Sequence, residues 1–214
     1  MQLRLHRYLP FTNSEGPGKR ACIWVQGCSI HCDGCGVPWT WSTTGGTLIH
    51  IEDLFQQILE SKAENQIEGV TFLGGEPFDQ ATPLVELAYK LKGQGLSIMT
   101  FSGYTFETIL NSNRQDWADL LTVTDLLIDG PFVKEKLDLS RPWVGSLNQN
   151  YRFLTDRYAH LEKSLLDIPN RLEIRIEKNG QILVNGMAAP STLKELLEKL
   201  GNNPFMKEKG KKVF

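Results

Sequence analysis

The sequence predicts an α/β fold with a mainly parallel sheet, followed by a C-terminal β-hairpin and helix appendage. Three observations predict it. Short apolar runs of strand length alternate with segments whose apolar residues recur at helical spacing. Each notable loop, rich in glycine, cysteine or carboxylates, sits just after one of those runs. After about Leu154 the pattern changes to one strictly alternating stretch, a hairpin turn signal and a single amphipathic helix. Strands separated by helices form βαβ units, whose connections impose parallel pairing.

The elements follow in order. Arg20 to Gln26 (RACIWVQ) is a buried strand centred on Ile23, Trp24 and Val25, running into Gly27 and a cysteine loop. Pro38 to Gly46 is irregular. Ile51 to Leu59 is a helix, because Ile51, Leu54, Phe55, Ile58 and Leu59 share one face. Gly69 to Leu73 is a strand ending at Gly74-Gly75. Pro83 to Leu91 is a helix with Leu84, Leu87, Ala88 and Leu91 in one stripe. Leu96 to Phe101 is a third strand, followed by Ser102-Gly103, and a helix covers Thr105 to Leu110. Asp125 to Ile128 is a fourth strand, ending at Asp129-Gly130-Pro131. In α/β sheets ligands bind at the carboxyl edge of the strands, so these loops are expected to converge there. Further on, Leu172, Ile174 and Ile176 alternate with Arg171, Glu173, Arg175 and Glu177. Asn179-Gly180 supplies a turn and Gln181 to Val184 a partner strand. Thr192 with Glu195 reads as a capping box, Leu193, Leu196, Leu197 and Leu200 as an apolar stripe, and Gly201 as a stop. Lys207, Lys209, Lys211 and Lys212 read as a solvated tail, with a contact to an acidic partner as the second reading.

Composition excludes several classes. The 214 residues suit one domain, or one domain with an appendage, and can bury most of their apolar surface without staples. Lys plus Arg total 23 against 25 Asp plus Glu, a formal charge of −2, which rules out a broadly basic nucleic-acid coat as the main feature; a local basic patch stays open, and no nucleic-acid partner is expected. No apolar stretch approaches a membrane span, and the opening MQLRLHRYLP lacks a signal-peptide core, which makes the cytoplasm the expected compartment. The cysteines, Cys22, Cys28, Cys32 and Cys35, crowd into one short segment. A disulfide framework would be spread through a shorter, loop-rich chain, so the cluster points to a metal or redox site.

Cys28, Cys32 and Cys35 have the spacing C-x3-C-x2-C. Three thiolates on one loop can hold three irons of a 4Fe-4S cube, leaving the fourth iron open to a substrate or cofactor. Ferredoxin-type clusters use four cysteines and have no such opening. The alternative is structural zinc, a closed four-coordinate site that Cys22 or His31 would have to complete. Cys22 lies on the first strand and reads as a small core residue.

The spacing, followed by a strand that ends in Gly74-Gly75-Glu76-Pro77, resembles the radical S-adenosylmethionine (SAM) superfamily. The closer resemblance is to the activating proteins of anaerobic ribonucleotide reductase, a family of glycyl-radical-enzyme activases. It is carried, over roughly the first 154 residues, by Glu15 to Arg20 (EGPGKR), Gly27 to Cys35 (GCSIHCDGC), Gly74 to Pro77, Ser102 to Tyr104, Leu127 to Val133 (LIDGPFV) and Trp143 to Gln149 (WVGSLNQ). The resemblance implies a partial (β/α) barrel of radical SAM type, with a core over 1–154 and an extension over 155–214.

It also implies a 4Fe-4S cluster and S-adenosyl-L-methionine, whose amino and carboxylate groups chelate the open iron. Gly34 and Gly36 flank Cys35, where backbone is expected to approach the adenine or methionyl part. Gly74, Gly75, Glu76 and Pro77 would receive the ammonium, a carboxylate pairing with a cation. Ser102 and Gly103 would approach the ribose. Asp129 would order SAM, a cation or a backbone turn. The implied reaction is reductive: an external donor such as flavodoxin or ferredoxin supplies one electron, SAM yields methionine and a 5′-deoxyadenosyl radical, and that radical removes hydrogen from a partner protein's glycine. No side chain need act as acid or base. Lys19 and Arg20 either dock the acidic donor or are solvated charges of a Gly/Pro turn. Gly145 to Gln149 shapes the site, meets the partner, or satisfies backbone in a late turn.

Three departures limit the resemblance. Gly36 and Val37 stand where the family often has an aromatic residue and an asparagine, and Trp39 and Trp41 are nearby aromatic surface or core. Short family members end near residue 154 of this chain. Residues 155–214 have no counterpart in them, and such a stretch would serve as a partner-specific dock. Besides glycyl radical activation, two readings stay open: a radical SAM enzyme acting on a peptide or small molecule, and a non-catalytic iron–sulfur or zinc binding module.

Overall fold

Seven strands form one sheet in the computed structural model: β1 (Gln2–Thr12), β2 (Arg20–Val25), β3 (Thr47–His50), β4 (Gly69–Gly74), β5 (Ser97–Phe101), β6 (Leu126–Asp129) and β7 (Asn150–Phe153). Their order is β3-β1-β2-β4-β5-β6-β7. The central strands β2, β4, β5 and β6 pair in parallel, and β3, β1 and β7 are antiparallel to their neighbours. The structure describes residues 1–176, 182–188 and 190–201. The expected Asn179-Gly180 turn, Glu177, Gln181 and the lysine-containing tail lie outside these residues.

Every residue of β2 is buried, as its uninterrupted apolar centre requires of a strand covered on both faces. On one face Ile23, Val25, Val70, Phe72, Ile98 and Leu127 pack against three helices: α1 (Ile51–Asn65), α2 (Ala81–Gly93), and, beyond the short α3 (Phe106–Leu110), α4 (Gln115–Val123). The foreseen stripes are the buried ones, Ile51, Leu54, Phe55 and Ile58 in α1, where Leu59 is only half-buried, and Leu84, Leu87, Ala88 and Leu91 in α2. On the other face Met99, Leu126 and Ile128 pack with Trp143, Val144, Tyr158 and Leu165.

Arg20 corrects a sequence expectation. It is neither a docking charge nor a solvated one, but 0% exposed. Its guanidinium donates to Thr71 Oγ1 at 2.8 Å, the Tyr158 hydroxyl at 2.7 Å, Ser97 Oγ at 3.0 Å and the Val70 carbonyl at 2.7 Å. A planar fork with five donors can satisfy itself on neutral oxygens in this way, which a lysine cannot. Lys19 donates to the Asn65 carbonyl at 2.9 Å.

Beyond β7, strands β8 (Leu172–Ile176) and β9 (Ile182–Gly186) pair antiparallel, followed by α5 (Pro190–Gly201). The alternation in β8 is turned polar side inward. Glu173 accepts from Thr12 Oγ1 at 2.6 Å and the Asn13 amide at 3.0 Å, Arg175 donates to the Phe11 carbonyl, and Ile174 and Ile176 are exposed. The Gly186 amide donates to Glu15 Oε1 at 2.9 Å. Helix α5 starts at Pro190, so Thr192 lies inside its first turn rather than capping it. A proline suits that first position because the N–H it lacks has no intrahelical partner there.

Candidate active site

The parallel strands deliver their loops to one edge, and backbone hydrogen bonds knit those loops together. The Gly75 amide donates to the Val25 carbonyl at 2.8 Å, and the Glu76 amide to the Gly27 carbonyl at 2.8 Å, tying the loop after β4 to the loop after β2. The Ser102 amide reaches the Ile128 carbonyl at 2.8 Å, and the Gly130 amide the Tyr104 carbonyl at 2.9 Å, tying the ends of β5 and β6. A Cβ on Gly75 would lie 2.1 Å from the Gly27 carbonyl oxygen, so this approach requires glycine.

Cys28, Cys32 and Cys35 are free and half-buried on the loop after β2. Cys22 is fully buried with Leu9 and Trp24, as a core residue. The loop is anchored from three sides. The Cys28 amide donates to the Trp41 carbonyl at 3.1 Å, and the Gly27 amide to the Thr40 carbonyl at 2.7 Å. The Ser29 amide and hydroxyl donate to the two oxygens of Asp79 at 2.8 and 3.0 Å, and the Tyr104 hydroxyl lies 2.7 Å from Ser29 Oγ. His31, at φ 53°, stacks on Trp41 with centroids 4.7 Å apart. Asp79 was missed by sequence reasoning. Its only trace was its position in the turn that follows Pro77.

The thiols suit a metal cluster in donor type and surroundings. The Val37 amide points to Cys35 Sγ at 3.4 Å, the amides of His31 and Ile30 to Cys28, and that of Phe132 to Cys32. Burial nevertheless pushes the Cys28 and Cys32 thiols up, so a metal must displace their protons. Among the described residues no three His, Cys, Asp or Glu side chains converge on the place of a single ion. A cube needs no such convergence, since each thiolate binds a different iron.

Two further carboxylates at this edge, besides Asp79, are engaged with the protein. Glu76, 1% exposed, accepts from the Phe78 amide (2.9 Å), Ser102 Oγ (2.9 Å) and the Gly103 amide (2.8 Å). Burial outweighs these bonds and raises its pKa to about 7. Asp129, also 1% exposed, accepts from the Phe106 amide at 2.9 Å and from Arg152 Nε at 2.8 Å. It thereby ties the start of α3 to β7. Pro77 is buried at the start of a 3-10 turn, and the space beside Gly36 is open to 4 Å. Gly145 to Gln149 satisfies backbone after β6. Ser146 Oγ accepts from the Val133 amide at 3.2 Å, and Asn148 Nδ2 donates to the Pro131 carbonyl at 2.7 Å.

Comparison with known proteins matches residues 14–152 to the 4Fe-4S single cluster domain. The chain is 29% identical over 153 residues to the anaerobic ribonucleoside-triphosphate reductase-activating protein of Vibrio cholerae, covering 69% of this chain and 96% of that one. Identity to the protein of the same name from Escherichia coli is 31% over 153 residues, with the same 69% and 96% coverage. A Haemophilus influenzae protein provisionally named a glycyl-radical enzyme activating enzyme is 40% identical over 105 residues, 48% of this chain and 39% of that one.

Proposed function

The chain belongs to the 4Fe-4S single cluster domain family and, within it, to the activating enzymes of radical SAM type; from that premise we propose that it cleaves S-adenosyl-L-methionine reductively and takes a hydrogen atom from a glycine of a partner protein. The observation that carries this reading is the separation of its cysteines. Three are free and half-buried on one loop at the carboxyl edge, and the fourth is sealed in a strand. When bound, a 4Fe-4S cluster with an open iron supplies the low-potential electron that SAM needs to give methionine and a 5′-deoxyadenosyl radical.

The chain's own residues hold and shelter these groups. Cys28, Cys32 and Cys35 would ligate the cluster. Because the Glu76 carboxyl is engaged with Phe78, Ser102 and Gly103, we assign the SAM ammonium to the backbone of Gly74–Glu76, with Glu76 as the latch that holds it. Ser102 and Gly103 flank the ribose, and Gly34 and Gly36 leave backbone open to the adenine or methionyl part. Asp129 acts at a distance by fixing the turn after β6. We take residues 1–154 as the radical SAM core, a partial (β/α) barrel, and 155–214 as its extension. A flavodoxin or ferredoxin is the one-electron donor, in the cytoplasm. Among the described residues no helix is long and apolar enough to cross a membrane.

The test is anaerobic reconstitution with iron and sulfide, then reduction with SAM present. 5′-Deoxyadenosine is the expected product. A preparation that retains stoichiometric zinc and forms none overturns the enzymatic reading. Incubation with a candidate glycyl radical enzyme should give the carbon-centred radical signal of glycine by electron paramagnetic resonance. Product without that signal, from every such partner, assigns the hydrogen donor to a peptide or small molecule instead.

A further inference from the structure

We propose that Lys134 is a positioning residue that sets the reduction potential of the cluster held by Cys28, Cys32 and Cys35; this rests on the cluster reading above. Gly34 lies between Cys32 and Cys35 with φ +73°. A Cβ placed on it would stand 3.2 Å from Lys134 Cδ, 3.5 Å from Lys134 Cβ and 3.4 Å from Phe132 Cε1. The aliphatic stem of Lys134, which ends in the ammonium, therefore lies across the glycine of the cluster loop. Among the described residues no carboxylate lies within 4.0 Å of that ammonium, whereas Lys90, Lys92 and Lys199 each pair closely with one.

The placement is built from behind. A Cβ on Gly145 would meet Phe132 Cδ2 at 3.1 Å and Cε2 at 3.2 Å, so the Phe132 ring sits between two glycines, Gly34 and Gly145. The arm carrying Lys134 is fixed by Val133 N to Ser146 Oγ (3.2 Å), Asn148 Nδ2 to Pro131 O (2.7 Å), Gln149 Nε2 to Gly130 O (3.2 Å) and Lys136 N to Val133 O (2.9 Å). Lys134 opens the 3-10 turn Lys134–Lys136 and is exposed. A cube with three thiolates becomes more negative on reduction. A nearby cation stabilises that reduced form and raises the potential, and salt weakens the effect because the charge is exposed.

The experiment compares full-length wild type, Lys134→Arg, Lys134→Gln and Lys134→Glu after reconstitution, by anaerobic redox titration of the cluster's visible absorption. Asp33 and Glu135, the acidic residues adjoining the two segments, are unchanged in all four. Lys134→Gln should shift the one-electron equilibrium three- to tenfold toward the oxidised form, about 30 to 60 mV more negative. Lys134→Glu should shift it further, Lys134→Arg should match wild type, and high salt should compress the differences. Equal potentials in all four, with four irons per chain, overturn the proposal. Loss of iron in Lys134→Gln but not in Lys134→Arg also overturns it, because Lys134 would then serve assembly. A wild type that takes up no four-iron cluster refutes the cluster reading itself, a distinct outcome.

Discussion

Cys22 and Cys28 sit on the same stretch of chain, yet their surroundings assign them opposite chemistry. Cys22 is enclosed by Leu9 and Trp24, and burial holds its thiol well above the ordinary range. Cys28 is half-buried at the sheet edge with amides directed at its sulfur. Cys28→Ala, Cys32→Ala and Cys35→Ala should each abolish iron uptake, and Cys22→Ala should retain it, as read by iron and sulfide analysis; loss of the cluster in Cys22→Ala would make that residue a ligand. Glu76 supports a second prediction. Its folded pKa of about 7 stands above the ordinary 4.5, so its contribution to stability is fully present below pH 4.5 and is lost as pH rises through about 7. Urea unfolding of the cluster-free protein should therefore show lower stability at pH 8 than at pH 5. Glu76→Gln should flatten that difference and cost about 1–3 kcal/mol at pH 5, since one amide oxygen must then serve three donors. An unchanged pH dependence in the variant would locate the titration elsewhere.

At the scale of elements, Arg20 joins β2 to β4 and β5 and to the segment after β7 through neutral acceptors alone. Tyr158→Phe removes one charge-assisted bond and should cost about 1.5–3 kcal/mol in urea unfolding. Arg20→Lys should cost more, because the ammonium cannot span the same acceptors and leaves several buried and unpaired. A Lys variant as stable as wild type would show that water replaces the fork. Arg20 also shows why part of the fold was hidden in the sequence. Beside Gly16-Pro17-Gly18-Lys19 it reads as a turn charge, and only the third dimension supplies Ser97 and Tyr158. The central strands and helices α1 and α2 were legible because burial on both faces, or along one stripe, leaves an unbroken apolar pattern. Strands β1, β3 and β7 were not. The alternation of Leu3, Leu5 and Leu9 in β1 is broken by register shifts between Leu5 and Arg7 and between Leu9 and Thr12. The edge strands β3 and β7 are short and partly exposed, so little of their sequence is constrained. Helix α4 was also passed over, although Trp117, Leu120 and Val123 form its buried side. The cysteine loop was legible because its chemistry is local. The anchors Asp79 and Trp41 were not, because their contacts with it are long-range.

Across the whole molecule, the part that this chain shares with its relatives and the part that it does not are joined through one sheet face. The shared region is 69% of this chain but 96% of the Vibrio cholerae and Escherichia coli proteins. Yet Tyr158 and Leu165, beyond β7, close the layer over Met99, Leu126 and Ile128, and the β8–β9 pair is bonded to β1 through Glu173 and Arg175 and to Glu15, just after β1, through Gly186. Such a face, left open, is a contiguous apolar patch of the kind that drives association. Tyr158 also completes the shell of a buried cation, whose desolvation is costly when a partner is removed. A chain ending after Leu154 should therefore keep every cluster ligand and still fail as a soluble protein: low soluble yield, strong binding of an apolar dye, and iron uptake only in the fraction that stays monomeric. Full-length Leu165→Ala, losing about 2–4 kcal/mol, should fall between that chain and wild type. If the shortened chain is instead monomeric, binds no dye and takes up its cluster, the segment after β7 is an addition on a self-sufficient core. The contacts of Tyr158 and Leu165 would then add stability without being required for folding.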